Sequence, residues 1–217
     1  MVLETLQEAP LLNSLSTELI EEISLFCKIK KFAKNEVLFY ENDEIETIYY
    51  ILKGSVKFYK VDRFDNEIFL YKLSKNSLIF DLSKLCDEFI LQCFANAEFI
   101  EDSEVLAIDA KKFKTLMGKN QKLMQRIMRE SFLMIQHMQC IISRDIVFDG
   151  TAKVAHMIDN DIEDFNMLKK HEIAYMLHMQ PETLSRILKK LTRNNIIKIE
   201  NNQVVVQDAK ELKDIYN

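Results

Sequence analysis

The sequence predicts an α+β protein: a small barrel of short strands, one long helix, then a helix-turn-helix closed by a β-hairpin wing. Three observations predict it. Between Lys34 and Ile108, short β-branched and aromatic runs alternate with polar turns. Between Lys119 and Asp145, apolar residues recur at helical spacing without a break. From Lys169 onward, two short amphipathic stretches precede two β-rich runs.

Residues 1–30 read as helical. Ser16 or Thr17 stands as a cap before Leu19, Ile20 and Ile23. The strand runs follow: Val37–Tyr40, Ile48–Leu52, Val56–Val61, Ile68–Tyr71 and Val105–Ile108. Lys53-Gly54-Ser55 and Asp62-Arg63-Phe64-Asp65-Asn66 are turns between them, and the regular spacing suggests a small barrel or sandwich. In the long helix, Met124, Met128, Ser131, Ile135, Met138 and Ile142 are spaced 4, 3, 4, 3, 4, the pattern of a coiled-coil seam. A second stripe, Leu123, Ile127, Met134 and Ile141, lies beside it. One stripe can cover the barrel while the other meets a partner helix. Phe148-Asp149-Gly150 interrupts the pattern as a hinge, and Asp149 or Thr151 can cap the next helix, which carries Val154, Ala155, Met157 and Ile158.

The chemistry concentrates in residues 181–193. Leu184, Ile187, Leu188 and Leu191 form one apolar stripe, and Glu182, Ser185, Arg186, Lys189 and Arg193 fall on the other side. Pro181 suits a first helical turn, where its missing N–H is not needed. Upstream, Ile173, Ala174 and Leu177 make a shorter apolar face. The break at His178-Met179-Gln180 is so short that the two helices must cross steeply, as in a helix-turn-helix. Arg can fork onto guanine O6 and N7, a carboxylate can accept from cytosine N4, and Lys or Arg can neutralise phosphates. The face therefore suits a base reader followed by phosphate contacts; an ordinary amphipathic helix with a solvated charged side has the same periodicity. Ile196–Ile199 and Val204–Val206 flank Glu200-Asn201-Asn202-Gln203, where Asn-Asn can form a hairpin turn because Asn tolerates positive φ. From Lys169 to Lys198 there are seven basic and two acidic residues, a local balance of +5 in a chain whose total is −5. A basic island in an acidic protein is an electrostatic footprint for nucleic acid.

This order of elements resembles the CRP/FNR family of bacterial transcription regulators over nearly the whole chain. Its strongest local matches are Tyr49–Lys57, Glu101–Asp109 and Glu182-Thr183-Leu184-Ser185-Arg186, which is similar to the FNR branch's Glu-x-x-Ser-Arg pattern. The resemblance implies a cyclic-nucleotide-binding-like β-barrel (a double-stranded β-helix) over 1–118, a dimerisation helix over 119–147, and a winged helix-turn-helix over 148–217. It implies a homodimer through the 119–147 helix, bound to double-stranded DNA at a palindrome with FNR-like half-sites. Glu182 and Arg186 would contact bases and Ser185 a base or a phosphate. Gln180, Thr183, Lys170, Lys189 and Arg193 complete the expected DNA-binding set. RNA polymerase would be a further partner if the protein activates transcription. His178 sits where the family's turn usually has Gly, so positive φ is expected there.

The sensor departs from the resemblance. Cyclic-nucleotide binders hold the phosphate with a Gly-Glu stretch, a small helix and an Arg followed by Ser or Thr. The matching segments here are Ile79–Leu85 and Cys93–Ala97, with Phe80 in place of the Gly and Cys93 in place of the Arg. An anionic phosphate without that Arg loses its charge-assisted bonds, so no cAMP binding is expected. The N-terminal cysteine cluster of a [4Fe–4S] sensor is absent. Cys86 and Cys93 are weak cofactor or redox candidates, against the simpler role of packed apolar residues. Haem stays open as an effector, and His137, on the long helix, is the candidate ligand; nitrosative or redox signals stay open beside it.

Composition narrows the classes that compete. With only three Gly, no glycine-rich phosphate loop can form. A cupin-type enzyme needs a His/carboxylate cluster inside its barrel, and no His precedes residue 137; no enzyme activity is expected. The remaining alternative is an interaction protein that uses the barrel and basic helix to bind an acidic protein. No membrane span or signal peptide is read, and a cytoplasmic location with reduced thiols and no metal is expected.

Overall fold

The computed structural model of the chain describes residues 2–79 and 91–216. It divides into two compact units, Met1–Ile135 and Gln136–Asn217. The first opens with α1 (Val2–Glu8) and α2 (Thr17–Ser24). Ser16 is the cap of α2: its Oγ accepts from the Leu19 N–H at 3.4 Å, and Leu19, Ile20 and Ile23 are buried. The helical expectation for residues 1–30 holds over Val2–Glu8 and Thr17–Ser24 and fails between them and beyond Ser24. Cys27–Phe32 is instead β1, paired antiparallel to β10 (Ser103–Asp109), with Cys27 opposite Ile108 and Phe32 opposite Ser103. A six-residue ladder to a central strand outweighs the weak helical preference of a Lys-rich stretch, whose lysines stay in water while Cys27 turns inward.

The remaining described strands of this unit are β2 (Val37–Phe39), β3 (Glu44–Ile45), β4 (Thr47–Lys53), β5 (Ser55–Val61), β6 (Glu67–Ser74), β7 (Leu78–Ile79), β8 (Leu91–Gln92) and β9 (Asn96–Phe99). They form two four-stranded antiparallel sheets, β1-β10-β4-β7 and β2-β9-β5-β6, with β3 and β8 paired apart. The expected barrel strands are thus all present, differing at their ends by up to three residues. Gly54 alone links β4 to β5, at φ +87°, and a Cβ there would fall 2.0 Å from Ser103 Oγ, so the turn requires glycine.

After β10, Asp109 caps α3 (Ala110–Lys119) through the Lys112 N–H at 2.9 Å. Asn120 ends α3 and starts α4 (Gln121–Ile142), its Oδ1 accepting from the Leu123 N–H at 3.0 Å. The long helix therefore begins at Gln121 rather than Lys119. It gives way at Ser143–Val147 to one turn of π-helix rather than running on to Asp145. Leu123 and Ile127 complete a core with Leu6, Leu12, Ile23, Ile48, Tyr50, Leu106, Ile108 and Phe113.

In the second unit, Asp149 caps α5 (Gly150–Asn160) through the Ala152 N–H at 2.8 Å. The interruption at Phe148–Gly150 is an extended step at Phe148 followed by this cap. Then come α6 (Ile162–Met167), α7 (Lys170–Met176), α8 (Pro181–Arg193), β11 (Ile197–Glu200), β12 (Gln203–Val206) and α9 (Ala209–Asp214). Val154, Ile158, Phe165, Ile173, Leu184, Leu188, Leu191, Ile197, Val204 and Leu212 pack as one core. Strands β11 and β12 are a two-residue hairpin, Glu200 opposite Gln203, with Asn201 at φ 49° and Asn202 at φ 64°. Both central residues are left-handed, which defines the type I′ turn whose twist fits paired strands.

Candidate nucleic-acid interface

Helix α8 is fixed from one side only. Leu184, Ile187, Leu188 and Leu191 are buried, and Glu182, Arg186, Lys189, Lys190 and Arg193 are exposed. Pro181 occupies its first turn, and Gln180 stands at the N-cap without a side-chain cap bond, exposed. The turn from α7 runs through His178 at φ 53°, the left-handed conformation expected there from a non-glycine residue. The Met179 N–H reaches back to the Ala174 carbonyl at 3.0 Å and closes the end of α7.

The structure gathers most of the expected reading residues into one shallow, open recess. Lys170 from the start of α7 meets Pro181, Glu182, Ser185, Arg186 and Lys189 of α8. Gln180, Thr183 and Arg193 do not line it. Thr183 is half-buried, and Arg193 is exposed at the far end of α8. Among the described residues, no ion pair engages Lys170, Glu182, Arg186, Lys189, Lys190 or Arg193. One turn apart on the same face, Glu182 and Arg186 each keep their polar heads available. Such a face can offer a bidentate donor, a carboxylate acceptor and two ammonium groups to a duplex groove.

One supporting residue had no sequence signal. Asn166, in α6, donates from Nδ2 to the Val204 carbonyl at 3.0 Å and accepts at Oδ1 from the Val204 N–H at 2.7 Å. Its amide completes the open edge of β12 and fixes the wing.

Of the sensor candidates, Cys93 is buried; its N–H donates to the Asp43 carbonyl at 2.9 Å and its carbonyl accepts from the Asn42 N–H at 2.7 Å. The next residue, Phe94, is half-exposed and lies nearly parallel to Phe58 and Tyr71, at ring separations of 6.3 and 6.2 Å. Phe80–Leu85 and Cys86 lie outside the described residues. His137 is exposed on α4, in the second unit, whereas Cys93 is in the first.

Comparison with known proteins follows the same division. Residues 29–120 match the cyclic nucleotide-binding domain model, and residues 153–215 match the Crp-like helix-turn-helix domain model. The chain belongs to the CRP/FNR family of transcription regulators. Among curated relatives, the cAMP-activated global transcriptional regulator CRP of Salmonella typhimurium is 26% identical over 190 residues, which are 83% of this chain and 90% of that one. The cyclic AMP receptor protein of Thermus thermophilus is 22% identical over 95% of this chain and 96% of its own. In fold, the regulator is similar to FixK2 from Bradyrhizobium japonicum, with a TM-score of 0.72 at 15% identity over 88% of this chain and 98% of that one. It is equally similar to a CooA mutant from Carboxydothermus hydrogenoformans, with a TM-score of 0.72 at 17% identity over 94% and 92%. CRP/FNR proteins regulate transcription. Among the described residues, no helix of this regulator is long and apolar enough to cross a membrane.

Proposed function

We propose that this CRP/FNR regulator binds a palindromic duplex as a homodimer, with α8 in the major groove and α4 joining the two copies, and that its sensor does not answer to cAMP. The observation that carries the DNA reading is the single recess that holds Lys170, Glu182, Ser185, Arg186 and Lys189 with no internal ion pair. Its charge is raised by the +5 balance of residues 169–198 within an acidic chain. Glu182 and Arg186 read base edges, Ser185 contacts a base or phosphate, and Lys189, Lys170 and Arg193 neutralise phosphates. Gln180 and Thr183 flank the reading set.

The pairing of copies is supported by α4. Met124, Met128, Phe132, Leu133, Ile135 and Ile142 are exposed along it, at 37 to 61%, while Leu123 and Ile127 are buried. An apolar stripe of that length on an exposed helix is stabilised by a second copy. The absence of a cAMP response is supported by Cys93 and Phe94. A buried thiol and an aromatic ring stand where the resemblance calls for a guanidinium and a hydroxyl, so a phosphate would lose its charge-assisted partners. The curated relatives named above are cAMP proteins; on this reading the ligand has changed while the frame has been kept. The signal is then of another kind: redox, nitrosative or haem-borne. A Soret band in protein purified without oxygen would assign it to haem, and its absence would leave a thiol-based or other non-haem signal.

Fluorescence anisotropy on palindromic and scrambled duplexes tests the DNA reading. Arg186→Ala is expected to cost about 1–3 kcal/mol on the palindrome and to blunt discrimination, while Lys189→Ala lowers the salt slope by about 1. Equal affinity of the unaltered chain for palindromic and scrambled duplexes would contradict it. For the sensor, calorimetric titration with cAMP is expected to give no saturable heat; micromolar affinity would overturn the assignment.

A further inference from the structure

The π-turn after α4 places one carboxylate where three elements meet. Asp145 accepts from its neighbour Arg144, Nε to Oδ1 at 2.9 Å and Nη2 to Oδ2 at 3.2 Å. Lys153 Nζ, from the first turns of α5, is 3.9 Å from Oδ1. His178 Nε2, from the left-handed turn between α7 and α8, is 3.8 Å from Oδ2. The side chains of Arg144, Asp145 and Lys153 are 17, 22 and 13% exposed, so the cluster is mostly out of water. Partial burial holds the His178 imidazole below its ordinary value, an effect that Lys153 and Arg144 reinforce and the Asp145 carboxylate opposes.

We propose that Asp145 is a positioning residue for DNA reading: a carboxylate clasp that ties the start of α5 to the end of the dimer helix α4, beside the turn before the reader helix α8, and so fixes the angle at which the two α8 helices of a pair are presented. The inference rests on the homodimeric DNA-binding reading above. The end of α4 from Gln136, the π-turn, α5 and α8 all belong to one compact unit, so the clasp acts inside it. None of Arg144, Asp145, Lys153 and His178 belongs to that unit's apolar core. Without the carboxylate, the Arg144 and Lys153 cations are left close together with low exposure, and their repulsion loosens the π-turn from α5. The core still holds the helices together, so what is lost is the angle rather than the fold. A palindrome places equivalent half-sites one helical turn apart, about 34–36 Å. Only a fixed reader angle makes that spacing matter.

The test uses the full chain and palindromes whose spacer is lengthened or shortened by one base pair, with a single half-site duplex as reference. The unaltered chain is expected to prefer one spacer. Asp145→Ala is expected to lose about tenfold on that spacer and to flatten the preference, with half-site affinity within about twofold and the thermal midpoint little changed. Asp145→Asn, nearly isosteric, should behave like Asp145→Ala, and Asp145→Glu should recover part of the preference. Unchanged spacer preference in Asp145→Asn, or equal losses on half-site and palindrome, would overturn the clasp. A chain with no preference for any palindrome over random duplex would instead remove the dimeric reading on which the clasp depends.

Discussion

His178, at φ 53°, shows how much a single position can disclose. The CRP/FNR resemblance places it where the family's turn usually has Gly, so the left-handed conformation was legible from the resemblance even though the residue type disfavours it. Asn201 and Asn202 were legible from residue type: Asn is one of the few residues that enters the left-handed region at small cost. The thiols were less so. Cys27 is buried, and burial pushes its thiol up to about 12, while Cys140 is exposed on α4. In native protein a maleimide should therefore modify Cys140 and leave Cys27 untouched until the chain is unfolded; rapid native labelling of Cys27, read by mass spectrometry of peptides, would contradict this. Leu184 is the innermost residue of the reader helix, 0% exposed. Leu184→Ala should cost about 2–5 kcal/mol in denaturant melts, because the surrounding core can collapse only partly into the space.

Among the helices and strands, those with strong periodicity were read correctly and those fixed by partners were not. Helix α8 shows on every turn which side is apolar, and the structure buries that side. Strand β1 carries no such signal: Cys27-Lys28-Ile29-Lys30-Lys31-Phe32 becomes a strand because β10 offers it a complete ladder. Asn166 was invisible for a related reason, since its amide matters only once β12 lies beside it. In α4 the two stripes were legible, and the structure separates them: Leu123 and Ile127 go into the core, and Met124, Met128 and Ile135 stay outside. The exposed Phe132 and Leu133 widen that outer face beyond the seam read from the spacing. If this face holds a second copy, Met128→Glu combined with Phe132→Glu places charges in an apolar contact. The double variant should sediment as a monomer with an unchanged circular dichroism spectrum, whereas a dimer that persists would assign the face another role.

Across the whole chain, the acidic total and the basic reading region divide the work. On the proposed reading, the net −5 limits indiscriminate attraction to nucleic acid, and the +5 concentrated in residues 169–198 restores it locally. The same molecule should respond to pH through its partly buried histidines. His156 lies against Phe148 and Tyr216, and burial lowers its imidazole below the ordinary value of 6.5. Unfolding then takes up a proton, so the native state loses stability as pH falls through 6.5 and on through the lowered value. His156→Gln should reduce the fall in thermal midpoint between about pH 7.5 and 5.5, and an equal fall in both proteins would contradict the assignment.

The central claim is that two copies of the α8 face grip one palindromic duplex. Sedimentation of the complex at near-physiological ionic strength measures it directly. The account predicts two chains per palindromic duplex, with Arg186→Ala leaving the free dimer intact but weakening the complex by about 1–3 kcal/mol. A single chain per duplex, or complexes formed equally on scrambled DNA, would contradict it.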